Sequence, residues 1–168
     1  MDEHTVEFAI ALPPEFNSID LLDPGVTQSM PPALAQTLID AHKGVQGARV
    51  MMLRSLIAVT EEREPLAAGL SVAIAAPDVP LAAQPLVAED FEGSEVAAIS
   101  LPVGQGLRVR DEFPTEVEGL PVIGLRVQYL LHTEHGLLTI TFETPQAAET
   151  EDWETFFDAM AQTATLIA

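Results

Sequence analysis

Two histidines and a glutamate fall within four consecutive positions, His132-Thr-Glu-His135. Imidazoles and a carboxylate this close can hold a divalent cation, but only with further ligands to complete the shell. No other ligand cluster points to this stretch, so a solvated turn outweighs a metal centre. The chain has no cysteine, which excludes disulfides, thiolate metal sites and cysteine nucleophiles. His42 reads as a boundary residue on a helix face, and His4 lies near the terminus. Gly104-Gln-Gly-Leu-Arg-Val109 carries two glycines of a phosphate-cradling loop, but it lacks the third and joins two strands instead of opening a helix. There is no Gly-x-Ser-x-Gly elbow, Walker motif or His-Glu-x-x-His pair. No catalytic residue is assigned, and neither a metal nor a cofactor is expected.

Arg108, Arg110 and Arg126 form the more informative set. They are three of only seven basic side chains, each on the polar face of an expected strand. If those strands are neighbours, the three guanidinium groups form one positive strip able to fork onto a carboxylate of a ligand or partner. They are the candidate binding residues. The competing reading, favoured here, pairs them across strands with Glu112 and Glu143 as ordinary surface ion pairs.

The elements that must position these residues belong to a chain of 168 residues, long enough for a substantial core and most simply one domain spanning 1–168. Hydrophobic residues make up 48%, while 26 acidic side chains against 7 basic leave a formal charge of −19. The acids are spread along both halves, so the field belongs to the whole surface and repels phosphate backbones and anionic lipids. Nucleic acid and membrane are poor partners for it. The acidic start, Met1-Asp-Glu-His-Thr, is unlike a secretory signal, and no stretch approaches the roughly 20 apolar residues of a membrane span. A cytoplasmic location is expected.

Val6, Phe8, Ile10 and Leu12 alternate as a strand that Pro13 and Pro14 stop. Residues 15–29 read as loop. Ser29 and two prolines introduce a helix carrying Ala35, Leu38, Ile39 and His42 on one face, with Gly44 as its stop. Residues 48–60 and 66–75 are expected as central strands with apolar positions on both faces. In the second, Leu70, Val72 and Ile74 share one face, while Ala67, Gly69, Ser71, Ala73 and Ala75 make a small face that leaves room for a helix. Residues 76–93 read as loop, 96–101 and 107–113 as strands joined by a turn at 102–106, and 114–121 as loop.

The strongest pattern lies from Gly124 to Pro145. With the turn between Glu134 and His135, one register sets Leu131 against Leu138, Tyr129 against Ile140 and Val127 against Phe142. On the other side it sets Arg126 against Glu143. A hairpin with one buried face selects its pairing in this way. Gly136 offers as an alternative a three-residue loop with a bulge, whose extra residue would restore the same match. The period then becomes helical: Trp153, Phe156, Phe157, Met160, Ala164 and Ile167 form one stripe, with Thr150 as cap and Glu151, Asp152 and Glu154 near the positive end of the helix dipole.

Three runs carry a resemblance: Leu125-Arg-Val-Gln-Tyr-Leu-Leu-His132, Leu137-Leu-Thr-Ile-Thr-Phe-Glu-Thr-Pro145 and Trp153-Glu-Thr-Phe-Phe-Asp-Ala-Met160. Leu12-Pro-Pro-Glu-Phe16 and Leu101-Pro-Val-Gly-Gln-Gly-Leu-Arg-Val109 add to it. Together they resemble the actinobacterial PsbP-like domains, the uncharacterised set related to the mycobacterial lipoprotein LpqN. The resemblance implies an α/β (α+β) fold, an α/β/α sandwich with a central antiparallel sheet and helices on both faces. Its relatives in fold are mostly binders without catalysis. This chain departs from the lipoprotein pattern in having neither the signal nor its cysteine, so envelope anchoring does not carry over. Fold alone does not determine function.

The leading expectation is a non-enzymatic cytosolic binding or accessory module, adaptor- or chaperone-like, that holds a protein partner. A small-ligand binder or enzyme with a pocket near the arginine strip is the alternative. A self-assembling structural protein, and hence a homo-oligomer, is the third reading.

Overall fold

The computed structural model describes residues 7–12, 17–20, 48–58, 66–75, 93–117, 119–145 and 150–167. Nine strands and one helix lie among them: β1 (Glu7–Ala9), β2 (Asn17–Asp20), β3 (Ala48–Ala58), β4 (Leu66–Ala75), β5 (Glu95–Leu101), β6 (Gly104–Val117), β7 (Leu120–Thr133), β8 (Gly136–Thr144), α1 (Thr150–Gln162) and β9 (Thr165–Ile167). β2-β3-β4-β8-β7-β6-β5 form one sheet in that order, and β1 pairs with β9 in a second. Every pairing is antiparallel.

The β7–β8 hairpin takes the register that its alternation predicts. Leu131 faces Leu138, Tyr129 faces Ile140, Val127 faces Phe142 and Arg126 faces Glu143. Any one-residue slip would carry the apolar set to the other face. Leu70, Val72 and Ile74 of β4 lie opposite Phe142, Ile140 and Leu138, so they continue the same apolar surface.

Helix α1 covers that surface. Trp153, Phe157, Met160, Ala161 and Ala164 are buried against it. Phe157 stacks on Phe142 with ring centroids 4.7 Å apart, and Phe142 meets the edge of Tyr129 at 6.0 Å. Burying side chains of this size contributes roughly 1.5–3 kcal/mol each, so the hairpin and the helix act as one unit.

Four expectations are corrected. The α/β/α sandwich with helices on both faces is overturned: the described residues are predominantly β, and their one helix lies on one face of the large sheet. The opposite face is mixed. Leu53, Val109 and Leu137 are buried there, Gln128, Thr139 and Thr141 are half-buried, and Gly69 is exposed. Within the described residues only one segment has a helical apolar stripe, and one helix can cover one face. The expected helix after Ser29 lies outside the described residues.

Second, α1 sits on the large-residue face of β4 and not on its small face, because bulky side chains on both elements remove more apolar area from water. Third, the helix ends at Gln162. The Thr163 hydroxyl turns back to donate to the Met160 carbonyl at 2.7 Å and accepts the Ala11 amide at 2.8 Å. Thr165–Ile167 then pairs with β1, leaving Ile167 54% exposed instead of on a helix stripe.

Fourth, residues 114–121 are not a loop. β6 and β7 continue pairing to Val117 and Leu120 around Gly119, whose φ of +80° suits glycine. Their flanking strands stop earlier: β5 pairs β6 only as far as Arg110, and β8 pairs β7 only from Leu125. Residues 111–124 therefore form a two-stranded ribbon beyond the sheet proper. At its base a Cβ on Gly124 would lie 2.5 Å from the Phe113 ring, so any larger residue there would displace that side chain.

Candidate functional site

Arg108 and Tyr129 are directly opposed on β6 and β7, on the face beneath α1. Glu154 and Asp158 stand four residues apart on α1, a spacing that puts both carboxylates on one side of a helix. Packing α1 through its apolar stripe brings that acidic side onto the arginines. The Arg108 Nε donates to Asp158 Oδ1 at 2.9 Å, and its Nη2 donates to Asp158 Oδ2 at 3.3 Å and to Glu154 Oε1 at 2.9 Å. The Tyr129 hydroxyl donates to Asp158 Oδ1.

Arg110, two residues along β6, extends the network. Its Nε lies 3.2 Å from Glu154 Oε1, its Nη2 donates to Glu112 Oε1 at 3.2 Å, and Nη1 is 3.7 Å from Glu95 Oε2. Two guanidinium groups, four carboxylates and one phenol thus tie the helix to β5, β6 and β7. Burial works against the charge of Arg108, but its hydrogen bonds with Asp158 and Glu154 more than offset this and raise its pKa. The same balance, with Glu154 as the strongest attraction, raises that of Arg110.

The structure brings Arg108 and Arg110 together and puts Arg126 on the opposite face, because residues at odd and even separations along paired strands point to opposite sides. There Arg126 Nε donates to Glu143 Oε1 at 2.6 Å, and the guanidinium lies 4.9 Å from the centre of the Phe113 ring. The single strip that the three arginines could have made does not form. Each is engaged by a carboxylate: Arg126–Glu143 is the cross-strand pair the sequence suggests, whereas Arg110 meets Glu112 along its own strand and not across strands.

His132 is exposed on β7, and His135 sits in the turn, where its amide donates to the Thr133 hydroxyl at 3.1 Å. Among the described residues no cluster of His, Asp or Glu is arranged to hold a metal. His4 and His42 lie outside them. Sequence reasoning missed the roles of Glu154, Asp158 and Tyr129. The signals were present: two acids beside an apolar helical stripe, and a lone tyrosine on an apolar strand face that needs an acceptor for its hydroxyl.

Tyr129 is fully buried, and burial first, then its bond to Asp158 and that carboxylate's charge, raise its pKa far above the usual value of about 10. The folded state thus holds this proton more tightly than the unfolded chain. Stability from this group is complete below about pH 10 and falls as pH rises above it, by about 1.4 kcal/mol per pH unit. Chemical denaturation between pH 8 and pH 12 (roughly the window set by the free phenol) is expected to show this slope in the native chain and its loss in Tyr129→Phe. Absorbance at 295 nm reports this group alone, since the chain has one tyrosine. Ionisation near pH 10 (about the free value) with the fold intact would contradict the assignment.

No protein-family model matches this chain, and no curated protein matches it. Among solved structures it is similar to LpqN, a protein involved in cell envelope biogenesis of Mycobacterium tuberculosis, with a TM-score of 0.48 and 6% sequence identity. The match covers 99% of this chain and 87% of LpqN. This is a distant structural relationship and not a family assignment. Among the described residues no helix is long and apolar enough to cross a membrane.

Proposed function

We propose that this protein is a non-enzymatic cytoplasmic accessory module, of the PsbP-like, LpqN-related kind, that holds a protein partner. The observation that supports this reading is the ribbon of residues 111–124. Leu120 and Ile123 there are 67% and 53% exposed, on a chain whose charge otherwise favours water. Isolated exposed leucines are ordinary, but these two lie on opposite faces of a strand pair that extends beyond its sheet, so the ribbon offers apolar contact on both sides to a chain that grips it. The charge of −19 favours a partner with basic side chains around an apolar segment.

The test is affinity purification from native lysate with the unaltered chain and with Leu120→Ser/Ile123→Ser. A specific protein enriched by the former and lost with the latter, at unchanged thermal stability, is the expected result. Equal recovery of every protein with both chains would refute the reading.

A further inference from the structure

The two edges of the seven-stranded sheet are built differently. β2 is four residues long and follows Pro13 and Pro14 in sequence, features that blunt an edge. β5, Glu-Val-Ala-Ala-Ile-Ser-Leu over Glu95–Leu101, has neither device. It pairs with β6 in unbroken register, without a bulge, and contains no proline or lysine. Among the described residues no strand pairs with its other side, and Ala97, Ala98 and Ser100 are exposed. A strand in this state presents a row of backbone donors and acceptors to an incoming chain.

Three observations narrow what that chain is. Ala98 and Ser100 border an open depression shared with Leu107 and His132, on the sheet face opposite α1. Its lining is more apolar than polar, which suits an apolar side chain. At the other end of the strand Glu95 is 78% exposed, and Glu112, half exposed, shares Arg110 with it. The strand therefore grades from apolar at Ile99–Leu101 to acidic at Glu95. Finally, two copies of a chain carrying −19 repel each other, which disfavours pairing of β5 with its own copy.

We propose that β5 is a strand-addition site for an extended, basic-ended segment of a partner protein, which joins the sheet antiparallel to β5. The inference rests on the binding-module reading and specifies a recognition mode for it. In antiparallel register a partner residue opposite Ile99 is followed four positions later, on the same face, by one opposite Glu95. The recognised pattern is thus a pair of β-branched residues opposite Ile99 and Ala98, with Lys or Arg opposite Glu95. Backbone pairing supplies affinity, while the depression and Glu95 supply direction and register.

The probe is the fluorescein-labelled peptide Ser-Thr-Thr-Val-Val-Thr-Thr-Lys-Ser, with a second peptide in which Glu replaces Lys. Titrated against the full chain, the Lys peptide is expected to bind saturably and to slow hydrogen exchange at the amides of residues 97–100. Glu95→Lys is expected to weaken the Lys peptide about three- to tenfold and to strengthen the Glu peptide by a similar factor. Glu95 is 78% exposed and its ion pair with Arg110 is long at 3.7 Å, so the variant is expected to keep its fold, which an unchanged thermal midpoint checks. Absence of binding by both peptides, or binding indifferent to Glu95, would overturn the proposal. So would a dimer, seen by light scattering, that protects the same amides without peptide. These failures differ from failure of the wider reading: a partner lost with Leu120→Ser/Ile123→Ser but unaffected by Glu95→Lys would leave the accessory module standing and remove the edge site.

Discussion

Replacing Phe157 by alanine is expected to lower the unfolding free energy by about 3–5 kcal/mol and the midpoint of thermal unfolding by roughly 6–20 °C. Phe157 is fully buried, stacked on Phe142 of β8 at 4.7 Å and tilted against Trp153 at 5.6 Å. Its removal deletes apolar contact from helix and sheet together, and the cavity lies between two elements that cannot close on it without shifting the helix. Phe156, only partly buried at the margin of the core, is expected to cost about half as much or less. Guanidinium denaturation followed by the fluorescence of Trp153, the only tryptophan, measures both. A loss below about 0.5 kcal/mol for Phe157→Ala, the range of ordinary surface changes, would show that α1 is not integral to the core.

Arg108→Ala is expected to cost about 2–3 kcal/mol, far more than the same change at Arg126. Arg108 makes three hydrogen bonds to two helix carboxylates with its side chain 19% exposed. Its loss leaves Glu154 and Asp158 facing the sheet without their main counter-charge. The roughly 3–5 kcal/mol lost when a fully buried pair is broken is not reached, since Asp158 is 44% exposed and water compensates part of the loss. The Arg126–Glu143 pair is 36% and 45% exposed, and such pairs contribute about 0–1 kcal/mol. A double-mutant cycle between Arg108→Ala and Asp158→Ala is expected to give a coupling of about 1–2 kcal/mol. Equal costs at Arg108 and Arg126 would mean that the network does not hold the helix.

These two effects separate the frame from the surfaces proposed to work. The core beneath α1 and the Arg108 network share one sheet face and hold the helix in place. The ribbon at Leu120 and Ile123 and the exposed positions of β5, Ala97, Ala98 and Ser100, lie at the margin of that frame, so they can be altered with little loss of stability, whereas Leu101 of β5 belongs to the core. Arg108, Arg110 and Arg126 are held in internal ion pairs, while the apolar tip of the ribbon and the outer edge of β5 face solvent.

The amino-acid sequence by itself determined what is local. Alternation over residues 125–144 set the hairpin register down to Arg126 opposite Glu143, because period-two patterning and a short turn leave one pairing that buries Val127, Tyr129 and Leu131 together. The stripe from Trp153 to Met160 marked α1, and the charge balance made the surface acidic. Tertiary structure decided what lies far apart. Periodicity tells which face of β4 is bulky, but not which face a helix will cover. Arg108 meets Glu154 and Asp158 across 46 and 50 residues, and Ala11 meets Thr163 across 152. Thr165–Ile167 could have prolonged the helix, and β1 took it instead. The arginines carry the same lesson: strand parity separates Arg126 from Arg108 and Arg110, but only the packed helix supplies the carboxylates that engage two of them. Charge pairing at such separations is settled by packing of apolar faces, which brings the charged rims into register as its consequence.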